Sequence, residues 1–476
     1  MRVIVAFLRI KFRLLVWLAR LLWTASRSLF HQVRPPPPRA IGAHGTARWA
    51  SRREQWWHGA IRGEGPVLGR GAFGRLVRFS SDGLVMVFAA TGSGKGVGIV
   101  LPTLLTYKGS LVVTDPKGEN YAITQRHRAT LGKVRMLNPT DLPRSDRLNP
   151  MGIIRVGTSH EADDAAALAA LMVMPEKGAG HWDNKAISLL KCLILHTLHE
   201  PVASRTLATV RRISIAEPSV FLDTLEDIAT HSPSVAAREI AAGFLISAVS
   251  RRGELSAEFK AIVSNMQKAT EPWSIGSPAG QLSATSTFSL ADLVSEPTTL
   301  YLCVAEDLLD VYAPWMRVMV GCVLKTLTRA KGKPPKRKVG LLLDEVAALG
   351  PLDQLEKQSG LLRAYCTPIL IWQSLPQVSA IYGSGALAFL ANASARVFFG
   401  VNDNETAQYV TDMVGKASAR RDKPQGGYWL LDAAEVQRLP VRRAIVKMRN
   451  VPYPVYSRRI DYRHMWRWRG RWDTWR

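Results

Sequence analysis

Residues 85–96, Val85-Met-Val-Phe-Ala-Ala-Thr-Gly-Ser-Gly-Lys-Gly96, run from an uninterrupted apolar stretch into a loop of small residues around one lysine. The apolar run predicts a strand buried on both faces, and Gly92 and Gly94 let the backbone N–H groups turn inward around an anion. Lys95 supplies a cation for phosphate oxygens, and a helix starting at Gly96 would direct its positive end at the same group. The stretch departs from the usual phosphate-loop pattern at both ends: Ala89 stands at the first glycine position, and Gly96 at the hydroxyl position that would ligate magnesium. Thr91, Gly92, Ser93, Gly94, Lys95, Gly96 and Val97 are the candidate nucleotide-binding residues.

Working outward, further apolar β-rich runs occur at 110–115, 134–137, 299–304, 340–344, 368–372, 395–401 and 443–447. Runs of this kind suit a parallel sheet covered on both faces, so an α/β fold is expected from about residue 43. Residues 158–280 differ. They are rich in Ala, Leu, Ile and Glu at helical spacing, which predicts an all-helical domain inserted between two parts (43–157 and 281–456) of a nucleotide-binding domain.

The run Val339-Gly-Leu-Leu-Leu-Asp-Glu345 is a buried-type strand ending in two carboxylates. Asp344 suits a magnesium shell, and Glu345 suits polarising an attacking water. Gln373, after the strand at 368–372, could sense a terminal phosphate. Arg363, between the two strands, could reach a neighbouring subunit's transition state or simply pair with Glu356 or Asp353. Asp115, Lys117 and Glu119 either line the nucleotide site or cap a turn. His196 and His199 are spaced i, i+3 beside Glu200, a spacing that offers one side of a metal site but is commoner for structural histidines.

The chain has 476 residues, too many for one core, and carries 63 basic against 38 acidic residues, a net charge of +25. With 47% hydrophobic and 21% charged residues it is neither disordered nor fibrous, and the positive excess favours a polyanionic partner, nucleic acid or an anionic membrane. Cys192, Cys303, Cys322 and Cys366 form no CxxC pair, which argues against a disulfide scaffold or zinc site.

In residues 1–34, Arg2, Arg9, Arg13, Arg20 and Arg27 fall in one sector at about 100° per residue, opposite a broad face of Leu, Phe and Trp. This predicts a basic amphipathic helix lying in an anionic bilayer interface rather than spanning it. A proline-rich spacer follows over 35–42. The Arg/Trp-rich tail, 457–476, suits single-stranded nucleic acid, a lipid headgroup layer, or packing on the body.

Taken together, Gly45-Thr-Ala-Arg-Trp49, Thr91–Gly98, Asp115-Pro-Lys-Gly-Glu-Asn120, Leu148-Asn-Pro150, Leu343-Asp-Glu345, Gln373-Ser-Leu375 with Gln377, and Asn402-Asp-Asn404 resemble the coupling-protein ATPases of type IV secretion. They follow the family's order over roughly 43–450. The resemblance implies a RecA-like P-loop domain with an inserted all-α domain, binding ATP and Mg2+. It also implies a ring-shaped, homo-hexameric motor at the cytoplasmic face of the bacterial inner membrane, passing single-stranded DNA with its relaxase to type IV secretion channel proteins.

By the same resemblance Lys95 is the phosphate lysine, Asp344 the magnesium ligand and Glu345 the water-activating residue. Arg363 becomes the trans-acting arginine and Gln373 the sensor. The transmembrane helices that usually open family members are not visible in the sequence. The competing readings are a coupler for protein effectors only and a non-hydrolysing nucleotide-binding membrane adaptor. A double-strand translocase of the FtsK type fits less well, given the 115–120 and 373–377 matches.

Overall fold

The computed structural model describes residues 45–175, 180–249, 255–330, 332–356, 359–418 and 427–475. The expected amphipathic helix and proline spacer lie outside the described residues. Among the described residues, no helix is long and apolar enough to cross a membrane.

The described residues divide into two compact units, a smaller one of 45–48 with 415–418 and 427–430 and a larger one within 49–414 and 431–475. In the smaller, Lys416–Ser418 pairs antiparallel with Gly427–Trp429, Thr46 bridges to Ala417, and the Lys416 ammonium sits 4.5 Å from the Trp429 ring centroid.

The larger unit is organised by an eleven-stranded sheet. Its strands are β1 (Val67–Arg70), β2 (Leu76–Arg78), β3 (Leu84–Ala89), β4 (Leu111–Asp115), β5 (Lys133–Leu137), β6 (Thr298–Cys303), β7 (Val339–Leu343), β8 (Cys366–Trp372), β9 (Ala393–Phe399), then Arg443–Met448 and Val455–Arg458. Counting the two short strands of the smaller unit as β10 and β11, these last two are β12 and β13. The order across the sheet is β2-β1-β13-β12-β9-β3-β8-β7-β4-β6-β5. From β9 to β5 all neighbours are parallel, and from β9 outward to β2 they are antiparallel.

Every residue of β3, β4, β6, β7 and β8 is buried, as continuous apolar runs require when helices cover both faces. All eight strands expected from the sequence are present, and the α/β class stands. The antiparallel edge formed by β1, β2 and β13 was not expected; these strands are only three or four residues long, too short for a periodic signal.

Helix α1 (Leu101–Thr106) follows the phosphate-loop region and α2 (Glu119–Ala129) follows β4. Between β5 and β6 the described secondary structure is helical apart from one isolated bridge, Val249 to Leu255, with the longer helices α3 (Glu161–Met172), α4 (Gly180–Thr197), α5 (Leu207–Ser214), α6 (Pro218–His231), α7 (Val235–Ala248) and α8 (Ala257–Thr270). Their cores are apolar, for example Leu189, Leu190 and Leu193 of α4 against Ala237, Ala241 and Phe244 of α7.

Helix α9 (Leu309–Arg329) joins this helical segment to the sheet. Fully buried Asp164 of α3 receives both arms of Arg155 at 2.8 and 3.0 Å and pairs with Arg329 of α9.

The C-terminal tail packs on the body. Trp468 is buried in the core cluster, Trp472 packs partly buried against the same cluster, and Asp473 pairs with Arg126 of α2. Trp466 and Trp475 remain exposed. Of the three readings of the tail, packing therefore accounts for Trp468 and Trp472.

Candidate nucleotide site

The carboxyl ends of parallel strands are where an α/β sheet assembles ligand sites, and there the expected residues meet. β3 ends at Ala89, and the chain turns through Gly92 (φ +74°) and Gly94 (φ +79°), a left-handed backbone that favours glycine. A β-carbon added at Gly92 or Gly96 would meet nothing within 4 Å, so open space borders the loop. Lys95 leads into a π-turn over Gly96–Val100 that continues as α1. Val97 lies within that turn, and Thr91 is exposed.

β7 lies two strands away, beyond β8, and ends one residue before Asp344. The Lys95 ammonium stands 3.0 Å from Asp344 Oδ1 and also pairs with Glu345 Oε1. Gln373, directly after β8, donates from its side-chain amide to Glu345 Oε2 at 3.0 Å, and its own N–H is held by Gln377 Oε1 at 3.0 Å. Thr114 of β4 donates to the Asp344 carbonyl at 2.8 Å, anchoring the acidic strand end from its other side. Glu345 adopts φ +52°, one of only two non-glycine positive-φ residues among those described. That left-handed turn swings its carboxylate back toward Lys95 and costs roughly 1–3 kcal/mol.

One ammonium is shared by two carboxylates. Burial works against the charge of Lys95, but Asp344 and Glu345 outweigh it and raise its pKa. Burial pushes the Asp344 carboxyl up, and Glu345 adds to this, by more than Lys95 pulls it down. The cluster therefore carries surplus negative charge in a low-dielectric place, the condition in which a divalent cation binds well.

Arg363 is exposed, and it is not among the residues hydrogen-bonded around Lys95. Asp115 caps the turn into α2: it accepts from Tyr121 N at 2.8 Å, Asn120 N at 3.3 Å and Asn120 Nδ2 at 3.1 Å. Lys117 pairs on the surface with Glu306 at 3.0 Å. His196 and His199 face separate carboxylates, Glu200 and Glu161, and among the described residues no group of side chains could hold a metal in the manner of a His/Cys/Asp/Glu cluster.

Three residues at the site were missed by the sequence reading. Arg459, assigned there to the tail, donates from Nη2 to Gly94 O at 3.1 Å and from Nη1 to Val441 O at 2.6 Å, and its guanidinium lies 4.5 Å from the Phe399 ring centroid. Gly400, after β9, approaches the loop so closely that a β-carbon would fall 2.6 Å from Ser93 Cβ. Buried Arg317 of α9 donates to Leu171 O of α3 (3.1 Å) and to Leu349 O (2.8 Å) and Pro351 O (2.6 Å), tying the turn after Glu345 to the helical segment. Only Gly400 left a sequence signal, a glycine just after a strand.

The family model described as type IV secretory system conjugative DNA transfer matches residues 46–425. Protein VirD4 of Agrobacterium fabrum is 30% identical over 391 residues, covering 78% of this chain and 56% of that one. Conjugal transfer protein TraG of Escherichia coli is 28% identical over 420 residues, covering 80% and 65%. The chain thus spans between half and two thirds of these relatives' length. Among solved structures, the bacterial conjugative coupling protein TrwBdeltaN70 superposes with a TM-score of 0.67 at 16% identity, covering 90% of this chain and 98% of that one. The plasmid coupling protein TrwB in complex with ADP and Mg2+ gives 0.67 at 17% identity, covering 88% and 94%. At such identities the likeness shows a shared RecA-like α/β fold.

Proposed function

The chain belongs to the type IV secretory system conjugative DNA transfer family, and on that premise we propose that it is an ATP-hydrolysing coupling motor that moves single-stranded DNA, with attached relaxase, toward a secretion channel. The observation that carries this reading is the meeting of Lys95, Asp344, Glu345 and Gln373 at one end of the sheet.

The residues fit a magnesium-bound triphosphate. Space is open beside Gly92 and Gly96, the Ser93 hydroxyl is buried without a partner, and Lys95 is held by acids that a phosphate can replace. Asp344 would hold Mg2+, which neutralises charge on the phosphates when bound. Gly96 contributes no hydroxyl to that shell. Released from the acids, Lys95 would bind the β/γ oxygens. Glu345, held in place by Gln373, would orient the water and accept its proton, and Gln373 would report the terminal phosphate through the same hydrogen bond. Arg363, exposed and apart from these residues, suits donation across a subunit boundary in a homo-hexameric ring.

The helices between β5 and β6 then form an inserted domain that receives cargo. Arg317 supports this by bonding both that segment and the turn after Glu345. The basic face of residues 1–34 holds the assembly at the cytoplasmic side of the inner membrane. Deleting residues 1–30 should release the protein from membranes at high salt; unchanged sedimentation would remove that attachment.

ATPase turnover with and without single-stranded DNA tests the central reading. Stimulation that Lys95→Ala abolishes is expected. Normal turnover in Lys95→Ala would overturn the site, and turnover indifferent to DNA would select a protein-effector coupler.

A further inference from the structure

β9 and β12 pair antiparallel with Lys447 directly opposite Arg396, and the Arg449 N–H donates to Ser394 O at 2.8 Å. Ala395, Val397 and Phe399 of β9 and Ala444, Val446 and Met448 of β12 enter the core on one side of the sheet. Arg396 and Lys447 therefore share the other face. Like charges directly opposite each other destabilise such a pair, so their juxtaposition needs a compensating partner.

Among the described residues, only neutral acceptors meet these two side chains. Arg396 donates from Nε and Nη2 to Leu390 O at 3.1 and 2.7 Å, and Lys447 donates to Pro452 O at 3.1 Å. Among the described residues no carboxylate forms an ion pair with Arg396, Lys447 or Arg449, and burial together with Arg396 lowers the Lys447 pKa. The three cations line a cleft of about 170 Å3, room for one anionic group.

This cleft is separate from the nucleotide site. It opens at the first residues of β9, whose other end abuts the phosphate loop at Gly400, and seven residues at about 3.3 Å each put ~20 Å between them. Beside the cleft, Asn450 Nδ2 bonds His58 O at 2.8 Å and so brings in the short helix Arg52–Trp57. Trp57 of that helix is 63% exposed and Trp56 is 38% exposed.

We propose that the cleft formed by Arg396, Lys447 and Arg449 binds a backbone phosphate of single-stranded DNA, with the more exposed Trp57, which packs edge-to-face with Trp56, offering a base-stacking surface beside it. Guanidinium groups match phosphate geometry, and exposed indoles next to a cationic cleft are the combination that binds single strands without sequence preference. A phosphate seated there turns a repelling cross-strand pair into a neutralised one. The proposal rests on the reading of the cargo as single-stranded DNA.

The test is fluorescence anisotropy of labelled oligothymidylate with the full chain over a salt series, comparing Lys447→Gln, Arg396→Gln and the double variant. Losing one neutralised phosphate should flatten the log–log salt slope by about 0.7 and weaken binding several-fold. Fluorescent ATP binding should be unchanged. Lys447→Gln should also raise Tm without DNA, because the like-charge pair is gone; a merely structural lysine would lower it.

Wild-type binding with an unaltered slope in the double variant overturns the cleft and leaves the cargo reading standing. No DNA binding by the wild type overturns both. Unaltered DNA binding with lost cosedimentation on phosphatidylglycerol vesicles would reassign the cleft to a lipid headgroup.

Discussion

Arg459 donates from Nη2 to the Gly94 carbonyl at 3.1 Å, so a residue 365 positions downstream closes one side of the phosphate loop. Its Nε is buried without a partner, and a β-carbon at Gly94 would lie 2.5 Å from its Nη2. The guanidinium thus braces the loop at Gly94. Arg459→Ala removes the charged hydrogen bonds to Gly94 O and Val441 O and the stack on Phe399, of which the Gly94 contact to the loop is worth about 1.5 kcal/mol. Nucleotide affinity should fall roughly tenfold, measured with a fluorescent ADP analogue. Unaltered affinity would reduce Arg459 to a tail anchor.

Glu345 combines a strained backbone with the acid closest to Lys95. Glu345→Gln keeps the shape and the Gln373 contact, so nucleotide should still bind while turnover drops by about 10²–10⁴. Glu345→Gly relieves the left-handed strain and removes a surplus negative charge beside Asp344. Calorimetry should show a higher Tm in this variant together with lost turnover. A lower Tm would mean that the turn is not strained.

The parallel sheet was legible because each central strand is an unbroken apolar run, and the site because its parts sit at the ends of those runs. Asp344 and Gln373 directly follow β7 and β8, Glu345 is one residue further on, and Lys95 closes the glycine loop that leaves β3, so strand prediction places all four at one edge. Arg459 and Arg317 were not legible: each acts through carbonyls brought near by tertiary packing, and a carbonyl has no sequence identity. Arg396 and Lys447 were hidden for a related reason, since only the β9–β12 register sets them opposite one another.

Asp164 joins the helical segment to α9 through Arg155 and Arg329 while fully buried. Burial alone would raise its pKa, but the Arg155 hydrogen bonds and the Arg329 charge outweigh it and lower it. Its contribution to stability is therefore present above the unfolded carboxylate pKa of about 3.9 and is lost as pH falls through the lower folded value. Asp164→Asn should cost roughly 1–3 kcal/mol in urea unfolding at pH 7, because it leaves the largely buried Arg329 guanidinium without its carboxylate, whereas exposed Arg155 can turn to solvent. The gap from wild type should narrow in strong acid, and a gap independent of pH would contradict the ion-pair account.

Asp115 has the opposite linkage. Burial pushes its carboxyl up to about 6, against the N–H groups of Tyr121 and Asn120, which pull it down. The folded state thus holds this proton more tightly than the unfolded chain. The associated stability is fully present below about pH 4 and is lost as pH rises through about 6, a change of roughly 3 kcal/mol. Asp115→Asn cannot titrate, so relative to wild type it should gain stability as pH rises from 4 to 7. Urea unfolding of both proteins across that range measures the difference, and the wild-type carboxyl carbon resonance should titrate near pH 6. A resonance titrating near 4, with a constant stability difference, would mean that solvent reaches the cap of α2.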